Sequence, residues 1–142
     1  MQVENILQSK GTTVYTVPAA APLSEAVRLL NTHKIGAVVV VDAKGKVAGI
    51  LSERDIVRRL DKDPVQLLAS PVHTAMTSRV ITATRAHDIS DLMELMTRHR
   101  IRHIPVVEGT TLVGIVSIGD VVKRKIEETE QEALALKEYI AS

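Results

Sequence analysis

Two stretches of the chain place apolar residues at the period of an α-helix. In the first stretch, four residues fall at positions i, i+3, i+4 and i+7: Leu23, Ala26, Val27 and Leu30. Four more repeat this spacing further along: Ile89, Leu92, Met93 and Met96. A stripe with this period predicts a helix that packs one face on a core. Pro22 and Asp88 stand where these helices would begin, as residues suited to a first turn.

Short apolar runs without this period indicate β-strands. Residues 38–41 and 104–107 are continuously apolar and rich in β-branched side chains, which is typical of strands buried on both faces. A turn containing glycine follows each run, and then a second strand is predicted over residues 47–51 and 112–116. Shorter β-type segments precede the helices at residues 14–17 and 80–83.

The two sets of elements are copies of each other. At an offset of 66, residues 14–42 align with 80–108, and nine of the 29 pairs are identical. At an offset of 65, residues 47–57 align with 112–122, and five of the 11 pairs are identical. The change of offset falls in the predicted turn. The chain is therefore an internal duplication.

Each copy reads strand, helix, strand, strand, helix, so the predicted fold class is α/β (α+β) with two β-α-β-β-α repeats. A repeat of about 45 residues buries little surface alone, so we expect the two to pack pseudo-symmetrically as one module. We place repeat 1 at residues 1–62, a linker at 63–72, repeat 2 at 73–125 and a helical extension at 126–142. The helical pattern of the tail is expected to pack on Ile6 and Leu7 or on a second copy of the chain.

Composition narrows the function. The 142 residues contain no cysteine, which excludes disulfides and thiolate chemistry, and a net charge of +1 does not demand nucleic acid or an acidic membrane. Aromatic residues make up 1%, too few for a platform that stacks single-stranded bases. The N-terminus lacks the pattern of a signal peptide and no apolar run is long enough to span a membrane, so we expect a cytoplasmic protein.

Catalytic and metal-binding chemistry finds little support. Ser52 and Ser117 have no paired base in a recognisable motif, and no phosphate-binding glycine loop is present. His99 and His103 are four residues apart, but a helix is expected to end between them, which separates them as metal ligands. We therefore expect no enzyme and no metal.

A Ser-x-x-Asp pattern opens the last helix of each repeat, as Ser52 with Asp55 and Ser117 with Asp120. One interpretation is structural, because such a pair caps the exposed amides of a helix start. The other is ligand binding, because free amides suit a phosphate and a carboxylate accepts both hydroxyl hydrogens of a ribose. The two interpretations are compatible.

The basic run over residues 98–103 also has two interpretations. It is a solvated helix end, where cations favour the negative pole of the helix dipole, or it neutralises a phosphate through Arg102, His103 or both. Arg54 is the candidate counterpart in the first repeat. The planar guanidinium suits such work through its fork of donors.

These residues carry a resemblance to a known family. Residues 99–107 read HRIRHIPVV and residues 112–122 read LVGIVSIGDVV, while the first copy reads HKIGAVVVV at 33–41 and GILSERDIV at 49–57. The tandem pattern resembles a pair of CBS (cystathionine-β-synthase) domains, the unit called a Bateman module. Residues 72–77 resemble the short lead-in helix of such a repeat, and the resemblance covers nearly the whole chain.

The resemblance implies a regulatory module that binds adenine nucleotides in clefts between the two sheets and assembles as a homodimer. AMP is the first candidate ligand, with ADP, ATP or NAD(H) as others, and the module would signal energy or redox state to a regulated protein. In the family, the Ser and Asp hold phosphate and ribose, and backbone at the strand starts frames the base. The framing residues here would be Thr16, Val17, Gly36 and Ala37 in the first repeat, and Thr82, Ala83, His103 and Ile104 in the second.

The two copies are unequal. The first has Gly36 and Ala37 where the second has Arg102 and His103, and Val39 where the second has Pro105. We expect the second site to be narrower, more cationic and selective for more highly charged phosphates. The difference fits two ligands, such as AMP in one site and a dinucleotide in the other, and it equally fits one site that binds nothing. Two alternatives stay open: a nucleic-acid-binding regulator that uses the basic residues of 98–103 and 123–125, and a ligand-free adaptor that acts through its C-terminal helix.

Overall fold

The computed structural model describes every residue from Met1 to Ser142 and divides into two units. The first-repeat unit contains Thr13–Ile81 and Glu108–Val113, and the second-repeat unit contains Met1–Thr12, Thr82–Val107 and Gly114–Ser142. Six helices occur: α1 (Val3–Lys10), α2 (Leu23–His33), α3 (Glu53–Val57), α4 (Pro64–Ala69), α5 (Ile89–His99) and α6 (Ile118–Ala141). Five strands occur: β1 (Thr16–Pro18), β2 (Ala37–Val41), β3 (Val47–Ser52), β4 (His103–Glu108) and β5 (Thr111–Ser117). The mixed α/β class predicted from the sequence is confirmed.

A three-stranded sheet of order β1-β2-β3 forms the centre of the first-repeat unit. β1 pairs parallel to β2, with Thr16 opposite Val39, and β2 pairs antiparallel to β3, with Ala37 opposite Ser52. The predicted helical stripe packs on this sheet, because Leu23, Ala26 and Leu30 are buried in one cluster with Val38, Val40 and Leu51. An aliphatic core of this kind follows from β-branched strands that are covered on both faces.

The second-repeat unit contains most of β4 and β5, which pair as a two-stranded sheet. The β-type segment predicted at residues 80–83 is reduced to one parallel bridge, in which Ala83 pairs with Val106. α5 buries its predicted stripe, with Leu92 and Met96 at most 3% exposed. α2 and α5 end alike, since Lys34 and Arg100 each take a left-handed conformation at φ 53°.

The segments that lead into the repeats are exchanged between the units. The 3₁₀ turn at Val72–Thr74 belongs to the first-repeat unit, where Val72 N–H donates to Ala21 O at 2.8 Å. α1 belongs to the second-repeat unit, where Val3 N–H donates to His87 O at 2.9 Å. Each repeat is therefore completed by a segment that stands before the other repeat in the chain. The boundaries of the repeats along the sequence stay a prediction.

The structure adds detail to two segments of the sequence interpretation. The stretch interpreted as a linker contains α4, which is capped by Asp63 through Val65 N–H at 3.0 Å and packs on α2. The tail forms one long helix, α6, as predicted, with Val121 as its one buried residue, and packing of its end on a second copy stays a prediction. Ile6 and Leu7 are buried, whereas Leu136 and Ile140 near the end of α6 are 59% and 75% exposed. No helix combines the length and apolar character that crossing a membrane requires.

Candidate functional site

In the first-repeat unit, the Ser-x-x-Asp pair stands at one edge of the sheet. β3 ends at Ser52 and α3 starts at the next residue, so the pair lies where a strand passes directly into a helix. β2 begins on the same edge, since Ala37 faces Ser52 across the antiparallel pair. Glu53 N–H donates to Gly36 O at 3.0 Å, which ties the helix start to the residue before β2.

Ser52 and Asp55 form a reciprocal cap. Ser52 N–H donates to Asp55 Oδ2 at 2.9 Å, and Asp55 N–H donates to Ser52 Oγ at 3.4 Å. The serine hydroxyl also donates to Asp55 Oδ2 at 3.0 Å. A third residue joins from the lead-in segment, because Thr77 Oγ1 donates to Asp55 Oδ1 at 3.2 Å. The structural interpretation of the pair as a helix cap is therefore correct for this repeat.

The other first-repeat candidates lie on or near this edge. Gly36 and Ala37 are adjacent to the cap, and Ala37 is 5% exposed. Thr16 sits on the neighbouring strand, exposed, two pairing positions from Ala37. Val17 is fully buried, so only its backbone is available to a ligand. Arg54 lies in α3 and is exposed.

The second-repeat unit repeats the arrangement. Ser117 N–H donates to Asp120 Oδ2 at 2.9 Å, and Asp120 N–H donates to Ser117 Oγ at 3.2 Å. Ile118 N–H donates to Arg102 O at 2.8 Å, which is the equivalent of the bond between Glu53 and Gly36. The duplication in sequence is thus a duplication of one local hydrogen-bonded geometry.

A cation distinguishes the second copy. Lys10 Nζ, at the end of α1, donates to Asp120 Oδ2 at 2.5 Å and to Ile115 O at 2.9 Å. Burial raises the pKa of Asp120, but the hydrogen bonds from Lys10 and Ser117 and the lysine charge outweigh it. The net result is a pKa below the usual value, so the carboxylate is ionised at neutral pH.

The remaining second-repeat candidates surround the same edge. His103 opens β4 and is half-buried, while Ile104 is fully buried and Arg102 is exposed. Ala83 is buried and joins β4 by two backbone bonds, from Ala83 N–H to Pro105 O at 3.0 Å and from Val107 N–H to Ala83 O at 2.9 Å. Thr82 is exposed beside it. Each unit therefore contains its own set of candidate ligand-binding residues.

Two residues that contact the site were missed from the sequence, Thr77 and Lys10. Both lie in the lead-in segments, which align at an offset of 69, from Val3 to Val72 and from Leu7 to Met76, instead of 66. Leu7 and Met76 are equivalent because each is the side chain against the glycine of the last strand of its unit, Gly114 in β5 and Gly49 in β3. The three-residue change of offset hid this correspondence, which is signalled only by the identities of Val3 with Val72 and of Ser9 with Ser78.

Known proteins agree with this architecture. The family model described as CBS domain matches residues 6–62 and 72–127. The CBS domain-containing protein CBSX3, mitochondrial, of Arabidopsis thaliana is 38% identical over 82% of this chain, and the match spans 58% of that protein.

Solved structures show the same fold. The CBS-domain containing protein ATU1752 from Agrobacterium tumefaciens superposes with a TM-score of 0.83 and 44% identity, over 87% of this chain and 92% of that one. The CBS domain pair of protein MJ0100 was solved in complex with 5′-methylthioadenosine and S-adenosyl-L-methionine. It superposes with a TM-score of 0.79 and 26% identity, over 90% of this chain and 98% of that one.

Proposed function

The chain belongs to the CBS-domain family as a pair of CBS domains, and on that premise we propose that it is a regulatory module that binds an adenosine-containing nucleotide. AMP is the first candidate, with ADP, ATP and NAD(H) as the others. The module has no catalytic activity of its own, acts in the cytoplasm as a homodimer, and passes the energy or redox state to a regulated protein.

One observation carries this proposal: both units hold a Ser and an Asp side chain in the same cap at the edge of a sheet. A carboxylate accepts the hydrogens of two neighbouring hydroxyls, and the hydroxyl and amides of a helix start suit a phosphate. A ribose phosphate presents both groups. The adenosine compounds bound by the MJ0100 pair support the same ligand class.

The cap leaves acceptor capacity for such a ligand. Asp120 Oδ2 receives Ser117 N–H and Lys10 Nζ, whereas a carboxylate offers about four acceptor positions. The opposite oxygen of Asp120 is the candidate for a ribose hydroxyl. In the first repeat, Asp55 already accepts from Ser52 and Thr77, so its remaining capacity is smaller.

The nucleic-acid alternative loses support from the ion pairs of the basic residues. Arg98 forms an ion pair with Glu94 one turn away on α5. On α6, Arg124 pairs with Glu127 at 3.1 Å and Lys125 pairs with Glu128 at 3.4 Å. Phosphate contacts would have to displace these carboxylates, which lowers the affinity for a polyanion.

The test is calorimetric titration with AMP, ATP and NAD, together with thermal unfolding in each nucleotide. A ligand that binds only the folded chain raises its stability by about RT ln(1 + [L]/Kd). We expect Asp55→Asn or Asp120→Asn to weaken binding at its own site by about tenfold, as for a lost hydrogen bond to a charged group. Asp91→Asn is the matched control, because Asp91 closes the cap of α5 with Asp88 away from the candidate residues.

Asp91→Asn is expected to lower the melting temperature slightly and leave nucleotide affinity unchanged. Unchanged melting and no heat of binding with any of the three nucleotides at millimolar concentration would show that the proposal is wrong and would favour the ligand-free adaptor.

A further inference from the structure

α6 carries an apolar stripe that its own unit does not cover. Six exposed positions follow each other at alternating spacings of four and three residues: Val122, Ile126, Thr129, Ala133, Leu136 and Ile140. Four are large apolar residues, and their exposure runs from 43% at Val122 to 75% at Ile140. Alternation of four and three is the a/d spacing of a coiled coil, with Ile126, Ala133 and Ile140 at a.

The stripe lies on a different side of α6 from the side that packs within the second-repeat unit. That side is marked by Val121, which is fully buried, and by Glu128, which lies 3.7 Å from the N-terminal amine. Successive helical residues turn by about 100°, so the stripe, which is centred near Val122, lies about 100° around the helix from Val121. Because the base of α6 is anchored in a folded unit, the cost of starting the helix is already met there.

Charges beside the stripe specify a partner. In the heptad assignment that puts Ile126 at a, Lys125 and Glu132 occupy g positions, and Glu130 and Lys137 occupy e positions. A parallel two-stranded coiled coil pairs each g residue with the e residue five positions later on the other helix. Lys125 would thus exchange its ion pair with Glu128 on its own helix for one with the partner's Glu130, and Glu132 would face the partner's Lys137. Within its own helix, Lys137 has no carboxylate three or four residues away.

The opposite orientation is disfavoured by the same charges. In an antiparallel pair that buries the same apolar stripe as its seam, Ile126 would face the partner's Leu136. Each g residue would then lie against a g residue of the partner, and each e residue against an e residue. Glu132 would then lie against the partner's Glu132, and Lys137 against the partner's Lys123. Like charges placed in this way repel and select against that arrangement.

We propose that α6 pairs with α6 of a second copy of this chain as a short, parallel, two-stranded coiled coil. Isoleucine at a with leucine at d, as at Ile126 and Leu136, favours two strands over three or four. The small Ala133 and the polar Thr129 near the middle of the seam limit its strength. The inference deepens the homodimer of the proposed function by assigning its surface, and it does not depend on the nucleotide.

Sedimentation equilibrium of the full chain tests the seam. Leu136→Glu is expected to raise the dimer dissociation constant at least tenfold, because it places a charge in an apolar interface. Leu134→Glu is the matched control, since Leu134 is 58% exposed against 59% for Leu136 but lies outside the a/d stripe. A parent that stays monomeric, or two variants that dimerise equally, would overturn the proposal.

Charge exchange tests the pairing. Glu132→Lys and Lys137→Glu are each expected to weaken the dimer by about two- to tenfold, and the double variant is expected to restore it. Equal dimerisation in all four proteins would contradict the proposed g–e pairs. Nucleotide titration of Leu136→Glu is expected to match the parent, so failure of the dimer is distinguishable from failure of the ligand proposal.

Cross-linking tests the orientation. The chain has no cysteine, so Ile140→Cys introduces a single thiol at the end of the seam. In the parallel pair the two thiols face each other and oxidise to a covalent dimer. In the antiparallel pair they lie about 27 Å apart along the helices, far beyond disulfide reach. Leu134→Cys is expected to give little cross-link; equal cross-linking at both positions, or none at 140, would overturn the parallel seam.

Discussion

Lys10 Nζ lies 2.5 Å from Asp120 Oδ2, so the first helix of the chain holds the carboxylate that caps the last one. Both side chains are partly exposed, at 32% and 24%. The equivalent carboxylate of the other unit, Asp55, receives the neutral hydroxyl of Thr77 instead. The two Ser-x-x-Asp pairs therefore share a backbone geometry and differ in the charge beside the carboxylate.

Replacing Lys10 by methionine is expected to raise the pKa of Asp120. Without the lysine hydrogen bond and charge, burial of the carboxyl is opposed only by the bonds from Ser117. The free energy of unfolding should fall by about 1 kcal/mol or less, as is usual for a partly exposed pair. Carboxyl-carbon NMR titration measures the pKa, and Lys44→Met in the exposed turn after β2 is the control. An unshifted titration of Asp120 would rule out control by Lys10.

The contribution of Asp120 to stability depends on pH in a definite direction. Its pKa in the folded chain is below the ordinary value of 3.8, so folding favours the ionised form. This stabilisation is fully present above the unfolded pKa and is lost as pH falls through the folded pKa. Denaturant unfolding should show a constant difference between the parent and Asp120→Asn above about pH 5, and a shrinking one below about pH 4. A difference that grows toward low pH would contradict the lowered pKa.

Gly49 and Gly114 occupy equivalent positions but should differ in their tolerance of alanine. A Cβ at Gly49 would lie 2.5 Å from Met76 Sδ and 2.8 Å from the backbone oxygen of Thr77. That oxygen accepts a hydrogen bond from Ile50 N–H at 3.0 Å, so the backbone cannot move freely. The three atoms nearest to a Cβ at Gly114 all belong to the Leu7 side chain, and the first is a terminal methyl at 2.7 Å.

We therefore expect Gly49→Ala to destabilise the chain by about 1–3 kcal/mol, and Gly114→Ala by less, because a leucine end can rotate away. Denaturant unfolding measures both. Gly119→Ala is the control, since its Cβ would meet only Ser117 Oγ, at 3.7 Å, and alanine should stabilise a helix there. If Gly114→Ala costs more than Gly49→Ala, the backbone contact at Thr77 is not the decisive one.

The inequality of the two sites predicts a difference in ligand charge. Arg102 and His103 stand where the first repeat has Gly36 and Ala37. The double variant Arg102→Gly with His103→Ala is expected to lose affinity for ATP by about tenfold, and less for AMP, because fewer phosphate charges are neutralised. The loss should shrink as salt is added. Arg98→Ala removes a cation already paired with Glu94 and serves as the control. If the double variant binds ATP and AMP with the same affinities as the parent does, Arg102 and His103 lie outside the site.

The sequence by itself determined the repeated fold and the residues at its sheet edges. The helical stripes of α2 and α5 and the β-branched runs of β2 and β4 are local patterns, and local periodicity specifies which face of an element is buried. The Ser-x-x-Asp caps are likewise local, since donor and acceptor are three residues apart. For such features, neighbouring residues contain all the information that the geometry needs.

Only the tertiary structure decided which lead-in completes which repeat. α1 lies with the second repeat and Val72–Thr74 with the first, although each precedes the other repeat in the chain. The bond from Lys10 to Asp120 spans 110 residues and therefore leaves no periodic trace. The same holds for the tail, where the apolar spacing predicts a helix but only the packing shows that Val121 is buried and Val122 is exposed. Contacts of this kind depend on how separate segments fold back on each other, which no local pattern encodes.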